Sequence, residues 1–586
     1  MWVVTATIAC LTCAACHRGP TEVGFLDLVA MRGLAVDGRV LRAREVFAAD
    51  ETWVAVSLAP GQRATAALEL GQDPVLTLRG CVLREGRPKT ELTGVLRGGV
   101  RTDGGRRVEF EIGLDSADGW WRREIDLHRV AGRHGQLWLE AELSEGYSLA
   151  LQEVTVRYRL PAEAPTGSTP TQVLLISVDT LRHDAVGALG GSVATPHLDQ
   201  MAAEAEIWTR HYAAASWTKP SHASMLTGYF PDTHRALQLN QAMDPAIPTL
   251  ADRFRVAGFS TSALVYDCGW LSPRWGFAKG FDSYQVSRWR AGRQARAAAS
   301  WVLKHRDEPF FFFLHTFEPH SDFRLLPYEA PGLNRMTIAE SFGIANFGCR
   351  EGRCASQLLN ALYRHEVPRE ALDAEILRHS YNAGVRYLDA SLGALFDVLR
   401  SSGSWDGMLV VVTSDHGEEF GEHDGFGHHT LYDEILRVPL IVKWPRGEHA
   451  GTINHALSSS VDLAPTLLDL AGIPADELPG YNLHRRPADA PVFSGTLARA
   501  VVRGYEKGIL GGAGPRRIFD LATDRGEELN LVKSDLQLSR EFEALLREHR
   551  RRALALYRRI GSQREPGEVV LSDRERKRLK AFGYLE

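Results

Sequence analysis

The chain has 586 residues, a length that exceeds one small hydrophobic core and predicts roughly three or four domains. Hydrophobic residues make up 44% of the sequence, charged residues 24%, and the formal net charge is -5. This balance gives no electrostatic field that would attract nucleic acid, so we predict no nucleic-acid partner.

The first twenty residues are apolar and are predicted to be a secretory signal. Trp2 to Ala15 carry no charge and end in small residues, which is typical of exported proteins. The sequence around Cys16 is similar to a bacterial lipobox, in which Cys16 would be lipidated and anchored to the membrane. No Lys or Arg precedes the apolar stretch, and Cys13 stands where a lipobox usually has Leu. We therefore predict export to the periplasm or cell surface, with lipid attachment at Cys16 as an open alternative.

Residues 21–160 alternate apolar and polar side chains with a period of two. Short segments such as Thr52–Leu58, Val75–Leu78 and Leu137–Ala141 are separated by Gly, Asp and Arg. Such segments are typical of strands with one buried face, so we predict an antiparallel β-sandwich. Residues 161–171 have the composition of a linker.

From residue 172 the pattern changes to apolar strands that alternate with amphipathic helices. We predict the α/β class over residues 172–490, with a mostly parallel sheet flanked by helices. Within it, Thr195-Pro196 should begin a helix that runs to Ile207. Residues 491–586 form a smaller predicted α+β unit.

Two apolar runs of the α/β part end in acidic residues. Leu174–Val178 leads into Asp179, and Leu409–Ser414 leads into Asp415-His416. Short runs rich in Val and Ile are typical of buried parallel strands, and ligands bind at the carboxyl ends of such strands. Two carboxylates and an imidazole at that edge predict a metal site.

A helix is predicted between these two strand ends. Pro220 suits a first helical turn and Gly228 a helix end, which places Thr218 near the helix N-terminus. Free N–H groups and the helix dipole favour an anion there. A hydroxyl that touches a metal ion at this position can ionise and attack a phosphorus or sulfur centre.

Together these motifs resemble the sulfatase family of the alkaline phosphatase superfamily. The similarity extends over roughly residues 172–586 and follows the family's order of motifs, which read here LISVDTLRHD, PSHASMLTG, FFFLHTFEPH, SDHGEEFGEHDGFGHHTLYDEILRVPLIVKWP, SVDLAPTLLDLAGIP and FDLATDRGEELNLV. The resemblance implies the family's α/β fold and the hydrolysis of sulfuric or phosphoric esters with one divalent cation. The N-terminal sandwich lies outside it.

The resemblance also implies roles for individual residues. The metal ligands that it implies are Asp179, Thr218, Asp415 and His416. Thr218 also takes the place of the nucleophile. His320 matches a histidine that contacts the substrate or leaving group, and His428 falls where relatives place Lys or His against the transferred group. Asn240 and His234 match weaker positions after the nucleophile helix.

The sequence departs from the family at the nucleophile. Sulfatases carry Cys or Ser-x-Pro-x-Arg, whose Cys or Ser is oxidised to formylglycine, an aldehyde. Residues 218–222 read Thr-Lys-Pro-Ser-His here, and oxidation of a threonine would give a ketone, so no formylglycine is expected. His222 replaces the Arg and is included among the predicted catalytic residues. Thr180 stands where the family has a second Asp, so one metal ligand is either missing or supplied by Thr180.

We therefore predict a metal-dependent hydrolase of sulfate esters or of phosphate and phosphonate esters, acting on a small molecule, a glycan or a lipid. The family label favours sulfate, whereas a threonine nucleophile is typical of the phosphoryl-transferring branches. Two alternatives stay open: a phosphoethanolamine or glycerol-phosphate transferase, and a surface lipoprotein whose catalytic core has decayed into a binding module. The ligands do not decide among Ca²⁺, Mn²⁺ and Zn²⁺, and a second metal at His320 and His428 is a further alternative.

Other polar residues and the cysteines carry weaker expectations. The run Glu418–Asp424 is predicted to be a solvated acidic face, and His315 a buried strand residue or a neighbour of the site. Cys349 and Cys354 would close a short disulfide in an oxidising compartment, with two reduced thiols as an equal alternative. Cys81 and Cys268 are predicted to be buried and unbridged.

Overall fold

The structure is a computed structural model. It describes residues 172–320, 328–331, 374–511 and 516–562 and, with short gaps, residues 23–159. The predicted leader with Cys16, the linker 161–171 and the pair Cys349 and Cys354 lie outside the described residues. None of the described helices combines the length and apolar character needed to cross a bilayer.

Residues 23–159 form two antiparallel sheets around one core. The strands are β1 Val23–Asp27, β2 Ala35–Val36, β3 Arg39–Val40, β4 Arg44–Ala48, β5 Glu51–Leu58, β6 Arg63–Leu70, β7 Gln72–Arg84, β8 Gly94–Thr102, β9 Arg107–Gly113, β10 Trp120–Asp126, β11 Arg133–Leu143 and β12 Tyr147–Arg159. One sheet has the order β10-β7-β12-β5, with β1 on β12 and β4 on β5, and the other has the order β3-β2-β6-β11-β8-β9. Alternate residues such as Leu76 and Leu78 of β7 and Leu137 and Leu139 of β11 share the buried core. The predicted antiparallel sandwich is confirmed.

The central sheet is mostly parallel, as predicted. Its strands are β13 Gln172–Val178, β14 Glu206–Tyr212, β15 Ser260–Tyr266, β16 Ser283–Ser287, β17 Phe310–Thr316, β18 Leu409–Ser414, β21 Arg437–Lys443, β22 Thr452–Asn454 and β23 Ser458–Ser459, with a separate hairpin of β19 Glu419–Phe420 and β20 Phe426–Gly427. The order is β16-β15-β17-β13-β18-β21-β14-β22, and β21 alone of these runs antiparallel to both neighbours. At the other edge β16 pairs with β5, so the sheet continues into the N-terminal part.

Helices cover both faces of this sheet. They are α1 Pro196–Ala203, α2 Thr218–Thr227, α3 Pro231–His234, α4 Leu250–Val256, α5 Ala291–Lys304, α6 Ala374–Ser401, α7 Asp433–Leu436 and α8 Leu463–Leu470. Leu174 and Ile176 of β13 pack in the layer of α1, α5 and α6. Val173 and Leu175 pack in the layer of α2, α4 and α8. Because β13 is buried on both faces, its sequence is an unbroken apolar run.

The predicted helix after Thr195 is shorter than expected. α1 ends at Ala203, and Glu206 and Ile207 already belong to β14, which pairs with β21. The prediction that the helix reaches Ile207 was wrong. Ile207 and Trp208 are β-branched and aromatic residues that favour a strand, and the free edge of β21 supplies the pairing that a local pattern does not reveal.

The C-terminal part is a small antiparallel sheet with one long helix. Its elements are β24 Val492–Gly495, β25 Ala498–Arg503, β26 Glu506–Gly511, β27 Arg517–Asp520 and α9 Leu536–Ile560. Phe542 of α9 is fully buried and occupies the space where a Cβ on Gly508 would clash, so the helix packs directly on β26. Arg499 pairs with Asp232 of α3 at 2.8 Å and attaches this unit to the central domain.

His211 links the stability of the central sheet to pH. It is fully buried in β14, and its Nδ1 lies 2.9 Å from Ser458 Oγ. Burial, with Arg486 and His183 nearby, lowers the pKa of His211 to about 3. In the unfolded chain the ring takes up a proton at about pH 6.5. The stabilisation from a neutral His211 is therefore complete above about pH 6.5 and is lost as the pH falls toward 3, by up to about 1.4 kcal/mol per pH unit.

We expect His211→Asn to lose less stability than the wild type between about pH 7 and about pH 5, because asparagine does not titrate and still reaches Ser458. The thermal unfolding midpoint measured in steps across this interval checks the difference. His455→Asn, at an exposed histidine, is the control and should follow the wild type. Parallel pH curves for wild type and His211→Asn would contradict the assignment.

Candidate active site

The residues predicted from the strand ends meet at one edge of the central sheet. β13 and β18 are adjacent and parallel, with Val178 opposite Ser414, so Asp179 and Asp415 follow at the same level. Thr218 is the first residue of α2. The side chains of Asp179, Thr218, Asp415 and His416 are all fully buried.

Short distances join these four side chains. Thr218 Oγ1 lies 3.5 Å from Asp179 Oδ2 and 3.5 Å from His416 Nε2. His416 Nε2 lies 3.5 Å from Asp179 Oδ1 and 3.3 Å from Asp415 Oδ2. Ligand atoms of the two aspartates and the histidine all lie within 4.8 Å of one another. The sequence-based metal ligands therefore surround one point.

The chemistry of these atoms fits a divalent cation. Asp179 Oδ1 and Asp415 Oδ2 are buried and have no hydrogen-bond partner among the described residues. Burial, together with Glu418 beside Asp179 and with Asp179 beside Asp415, raises the pKa of both carboxyls well above the usual range. His416 Nδ1 lies 2.9 Å from the Gly417 carbonyl oxygen, so Nδ1 carries the proton. The lone pair of Nε2 then faces the same point as Asp179 Oδ1 and Asp415 Oδ2, as in a set of metal ligands.

Neighbouring groups hold both carboxylates in place. The Tyr266 N–H donates to His315 Nδ1 at 3.3 Å, so the proton of His315 sits on Nε2, which lies 3.2 Å from Asp179 Oδ2. His315 is thus a neighbour of the site that orients Asp179. Asp415 Oδ1 accepts the N–H of Thr180 at 3.3 Å and that of His416 at 3.0 Å.

Thr180 adopts a strained backbone beside the site. Its φ is 57°, in the left-handed region that β-branched residues avoid. This conformation aims its N–H at Asp415, while its carbonyl accepts from Tyr381 Oη at 2.8 Å. Thr180 Oγ1 is buried without a hydrogen-bond partner among the described residues. Its part as a metal ligand stays a prediction.

His222 lies behind the nucleophile position. Its Nδ1 is 2.9 Å from the Thr218 carbonyl oxygen and its Nε2 is 2.9 Å from Ser177 Oγ. Because a carbonyl only accepts, Nδ1 carries the proton and Nε2 accepts from the serine. Burial and the nearby His315 lower the pKa of His222 well below its usual value, so the ring is neutral. His222 thus fastens the first turn of α2 to β13, which suits a positioning residue.

His320 and His428 lie beside the cluster. His320 Nε2 is 3.9 Å from Asp179 Oδ1, and its ring stacks on Phe317 with centroids 4.0 Å apart. The His428 ring lies 4.5 Å from that of His416 and 5.3 Å from that of His320. Burial lowers the pKa of His428 to about 4. Their roles as substrate contacts stay predictions.

The prediction of a solvated acidic face was wrong for Glu418 and Glu419. Both side chains are fully buried, and burial raises the pKa of each to about 8. Glu418 Oε1 lies 3.4 Å from His428 Nδ1, and Glu419 Oε1 accepts from Thr430 Oγ1 at 2.5 Å. The hairpin β19–β20 turns these residues inward, a tertiary effect that a charged run does not reveal.

Lys219 is a buried residue that the sequence analysis missed. Its ammonium group donates to the carbonyls of Gln238, Leu239 and Gln241 at 2.6, 3.0 and 2.8 Å. It also lies 4.0 Å from the centre of the Trp275 ring. These bonds tie the loop that contains Asn240 to the start of α2. A lysine between Thr218 and Pro220, in the predicted first turn of the helix, was the available signal.

The weaker candidate His234 lies in the same region. Its Nε2 is 3.0 Å from Ser224 Oγ, and its Nδ1 accepts the Ala236 N–H at 3.2 Å. Both ring nitrogens are therefore engaged within the protein. This arrangement suits a support of α2 better than a group that binds substrate.

The family profile of sulfatases matches residues 171–473, slightly more than half of the chain. The chain belongs to the sulfatase family. The resemblance predicted from its motifs is confirmed, and with it the class of sulfuric and phosphoric ester hydrolases.

Relatives of this sulfatase-family protein include one named as a sulfatase and others named for the alkaline phosphatase superfamily or for phosphonate ester hydrolysis. The multifunctional alkaline phosphatase superfamily protein PehA of Trinickia caryophylli is 25% identical over 386 residues, covering 52% of this chain and 74% of that protein. The N-acetylglucosamine-6-O-sulfatase of Bacteroides thetaiotaomicron is 24% identical over 378 residues, covering 51% and 68%. The solved phosphonate monoester hydrolase of Agrobacterium radiobacter superposes with a TM-score of 0.53 at 22% identity, covering 65% of this chain and 96% of that one. That likeness supports the fold.

We expect Asp415→Asn to contain one equivalent of divalent metal less than the wild-type sulfatase-family protein after identical purification, because it removes one charged ligand. Elemental analysis measures the difference. Removal of the ion from the wild type should lower the thermal midpoint, since an ion at about 1,000 times its Kd stabilises by about 4 kcal/mol. Asp424→Asn, at an exposed aspartate of the same acidic run, is the control. Equal metal content in all three proteins would contradict the site.

Proposed function

We propose that this protein is a metal-dependent ester hydrolase with Thr218 as its nucleophile, and that it prefers phosphate or phosphonate esters to sulfate esters. The observation that carries the proposal is the position of Thr218 Oγ1, 3.5 Å from both Asp179 Oδ2 and His416 Nε2. The hydroxyl stands at the first residue of a helix, where the dipole favours an anionic substrate group.

Threonine supports the preference for phosphorus. Its Cβ carries a methyl group, so oxidation cannot yield the aldehyde on which formylglycine sulfatases depend. The reacting atom must then be the hydroxyl oxygen. Among the relatives, the name of the phosphonate monoester hydrolase supports a phosphorus ester, and that of the N-acetylglucosamine-6-O-sulfatase supports a sulfated glycan. The hydroxyl nucleophile favours the former.

The residues of the chain suit an in-line displacement. A divalent cation bound by Asp179, Asp415 and His416 would lower the pKa of the neighbouring hydroxyl and offset charge on the ester oxygens. Thr218 directs its proton toward Asp179 Oδ2 and turns an oxygen lone pair to the ester. His222 holds the Thr218 backbone while this oxygen attacks. The new Thr218–phosphorus ester bond forms as the bond to the leaving oxygen breaks.

His320 and His428 serve the other side of the reaction. An N–H of either ring can bind a non-bridging oxygen. His428 Nε2 would pass its proton to the leaving alkoxide while Nδ1 takes up the proton of Glu418, whose pKa is raised by burial to about 8. Glu418 lies 3.4 Å from His428 Nδ1 and fixes the orientation of the ring. Water then attacks phosphorus and frees Thr218. An acceptor alcohol in place of water would make the product that of a transferase.

We also propose export and a glycan or lipid ester as substrate. Export rests on the apolar leader of residues 1–20, and attachment through Cys16 stays a prediction. Secretion of a fusion that carries this leader, with and without Cys16→Ala, tests both points.

We expect Thr218→Val to lower kcat on the order of a thousandfold or more, because it removes only the reacting oxygen at nearly constant volume. Thr218→Ser should keep part of the activity. The measurement is turnover of an aryl phosphate diester, an aryl phosphonate monoester and an aryl sulfate, with an acid quench and mass spectrometry to find a phosphorylated Thr218 peptide.

Each substrate result bears on one part of the proposal. Undiminished turnover in Thr218→Val would remove Thr218 as the nucleophile. A sulfate ester cleaved faster than both phosphorus esters would reverse the preference. Transfer to an added alcohol in excess over hydrolysis would indicate a transferase, and a metal-free protein inactive on all three esters would indicate a binding module.

We expect His428→Gln to reduce the turnover of an alkyl ester by about 10²–10⁴-fold but that of a nitrophenyl ester far less, since nitrophenolate leaves without a proton. His429→Gln, at the adjacent imidazole, is the matched control. Equal losses on both esters would assign His428 to binding of the transferred group instead.

A further inference from the structure

A second group of metal-binding side chains lies outside the active site. Glu206 opens β14, His449 lies in the turn after β21, and His484 lies in the short helical turn Leu483–Arg485. Ligand atoms of these three residues all lie within 4.8 Å of one another. We propose that Glu206, His449 and His484 form a binding site for a divalent transition-metal ion such as Zn²⁺.

Glu206 is a buried carboxylate held ready for a cation. It is 2% exposed, and among the described residues no lysine or arginine lies within ion-pair distance of it. Its Oε1 accepts from Asn454 Nδ2 at 3.1 Å, and its Oε2 accepts from Trp444 Nε1 at 2.9 Å. A buried carboxylate without a permanent cationic partner is costly, whereas one with fixed orientation is a good ligand.

The two imidazoles close the open side of this carboxylate. His484 Nε2 lies 2.7 Å from Glu206 Oε2, and the ring of His484 is 34% exposed. The rings of His449 and His484 have centroids 4.4 Å apart. The ring centroid of His484 lies 5.9 Å from that of Trp208, on which it stacks, and 4.8 Å from that of Trp444. These two aromatic rings restrict the position of the His484 imidazole.

The donor set selects the class of ion. Two imidazole nitrogens and one carboxylate oxygen suit Zn²⁺, Cu²⁺ or Ni²⁺, whereas Ca²⁺ and Mg²⁺ prefer a shell of oxygens. Without an ion, His484 Nε2 donates a hydrogen bond to Glu206 Oε2. When an ion binds, the ring stays neutral and its proton moves from Nε2 to Nδ1. Nε2 is then free to give its lone pair to the metal, and no proton has to leave the ring.

The site is separate from the catalytic cluster in the fold. β14 runs parallel to β13 and β18, since it is antiparallel to β21, which is antiparallel to β18. Glu206 is the first residue of its strand, whereas Asp179 and Asp415 follow the last residues of theirs. The two groups therefore lie at opposite ends of the parallel strands. A bound ion would join a strand start, a turn and a loop that are distant in sequence. Its effect should be on stability and not on turnover.

The test uses the full-length protein stripped of metal, in the Asp415→Asn background that disables the catalytic site. Calorimetric titration with Zn²⁺ should show one equivalent, and titration with Ca²⁺ at the same concentration none. His449→Ala and His484→Ala should each weaken Zn²⁺ binding by roughly tenfold or more, by comparison with the 10–100-fold cost of removing a mere supporting group. His455→Ala, at a nearby exposed histidine, should bind as the parent does.

Two further measurements in the wild-type background do not depend on whether Asp415→Asn folds correctly. Zn²⁺ should raise the thermal midpoint of the wild type more than that of His449→Ala, with equal turnover in both. Bound Cu²⁺ should show nitrogen hyperfine coupling in electron paramagnetic resonance that His449→Ala and His484→Ala reduce. Unchanged Zn²⁺ affinity in both histidine variants, or equal uptake of Ca²⁺, would leave only a hydrogen-bond network and overturn the site.

Discussion

Two carboxylates, Asp179 and Asp415, are buried side by side with no lysine or arginine paired to them among the described residues. The parallel pairing of β13 with β18 forces this closeness, because Val178 and Ser414 stand opposite each other. Two negative charges this close repel strongly in a medium of low polarity. Moving the two carboxylates apart would require breaking the pairing of β13 with β18 at the centre of the sheet. The remaining solutions are protonation or a cation. The fold thus creates a demand for positive charge beside Thr218.

The surroundings act mainly to keep this arrangement rigid. His315 orients Asp179, the strained Thr180 directs an N–H to Asp415, and His222 fastens the first turn of α2 to β13. Each of these contacts uses a neutral or backbone donor and adds no cation. Lys219, the nearby ammonium, is turned away toward three carbonyls. These neighbours therefore supply no positive charge, and neutralisation of the carboxylates is left to a proton or a bound cation.

The sequence predicted the fold and most of the central cluster for physical reasons. Apolar runs identify strands buried on both faces, and residues after parallel strands share an edge, so Asp179, Asp415 and His416 could be placed together without coordinates. Long-range geometry could not be read in the same way. The burial of Glu418 depends on a hairpin, the end of α1 on the pairing of β14, and the approach of His484 to Glu206 on segments separated by 277 intervening positions. Local sequence patterns do not reveal contacts between residues that are far apart in the chain.

Under the proposed function, the threonine at the first position of α2 also determines how the protein matures. A formylglycine enzyme is inactive until another enzyme oxidises its Cys or Ser after translation. A Thr218 nucleophile needs no such modification. Competence then depends only on folding and ion uptake. Such a protein could move between hosts that lack the maturation machinery without losing its chemistry.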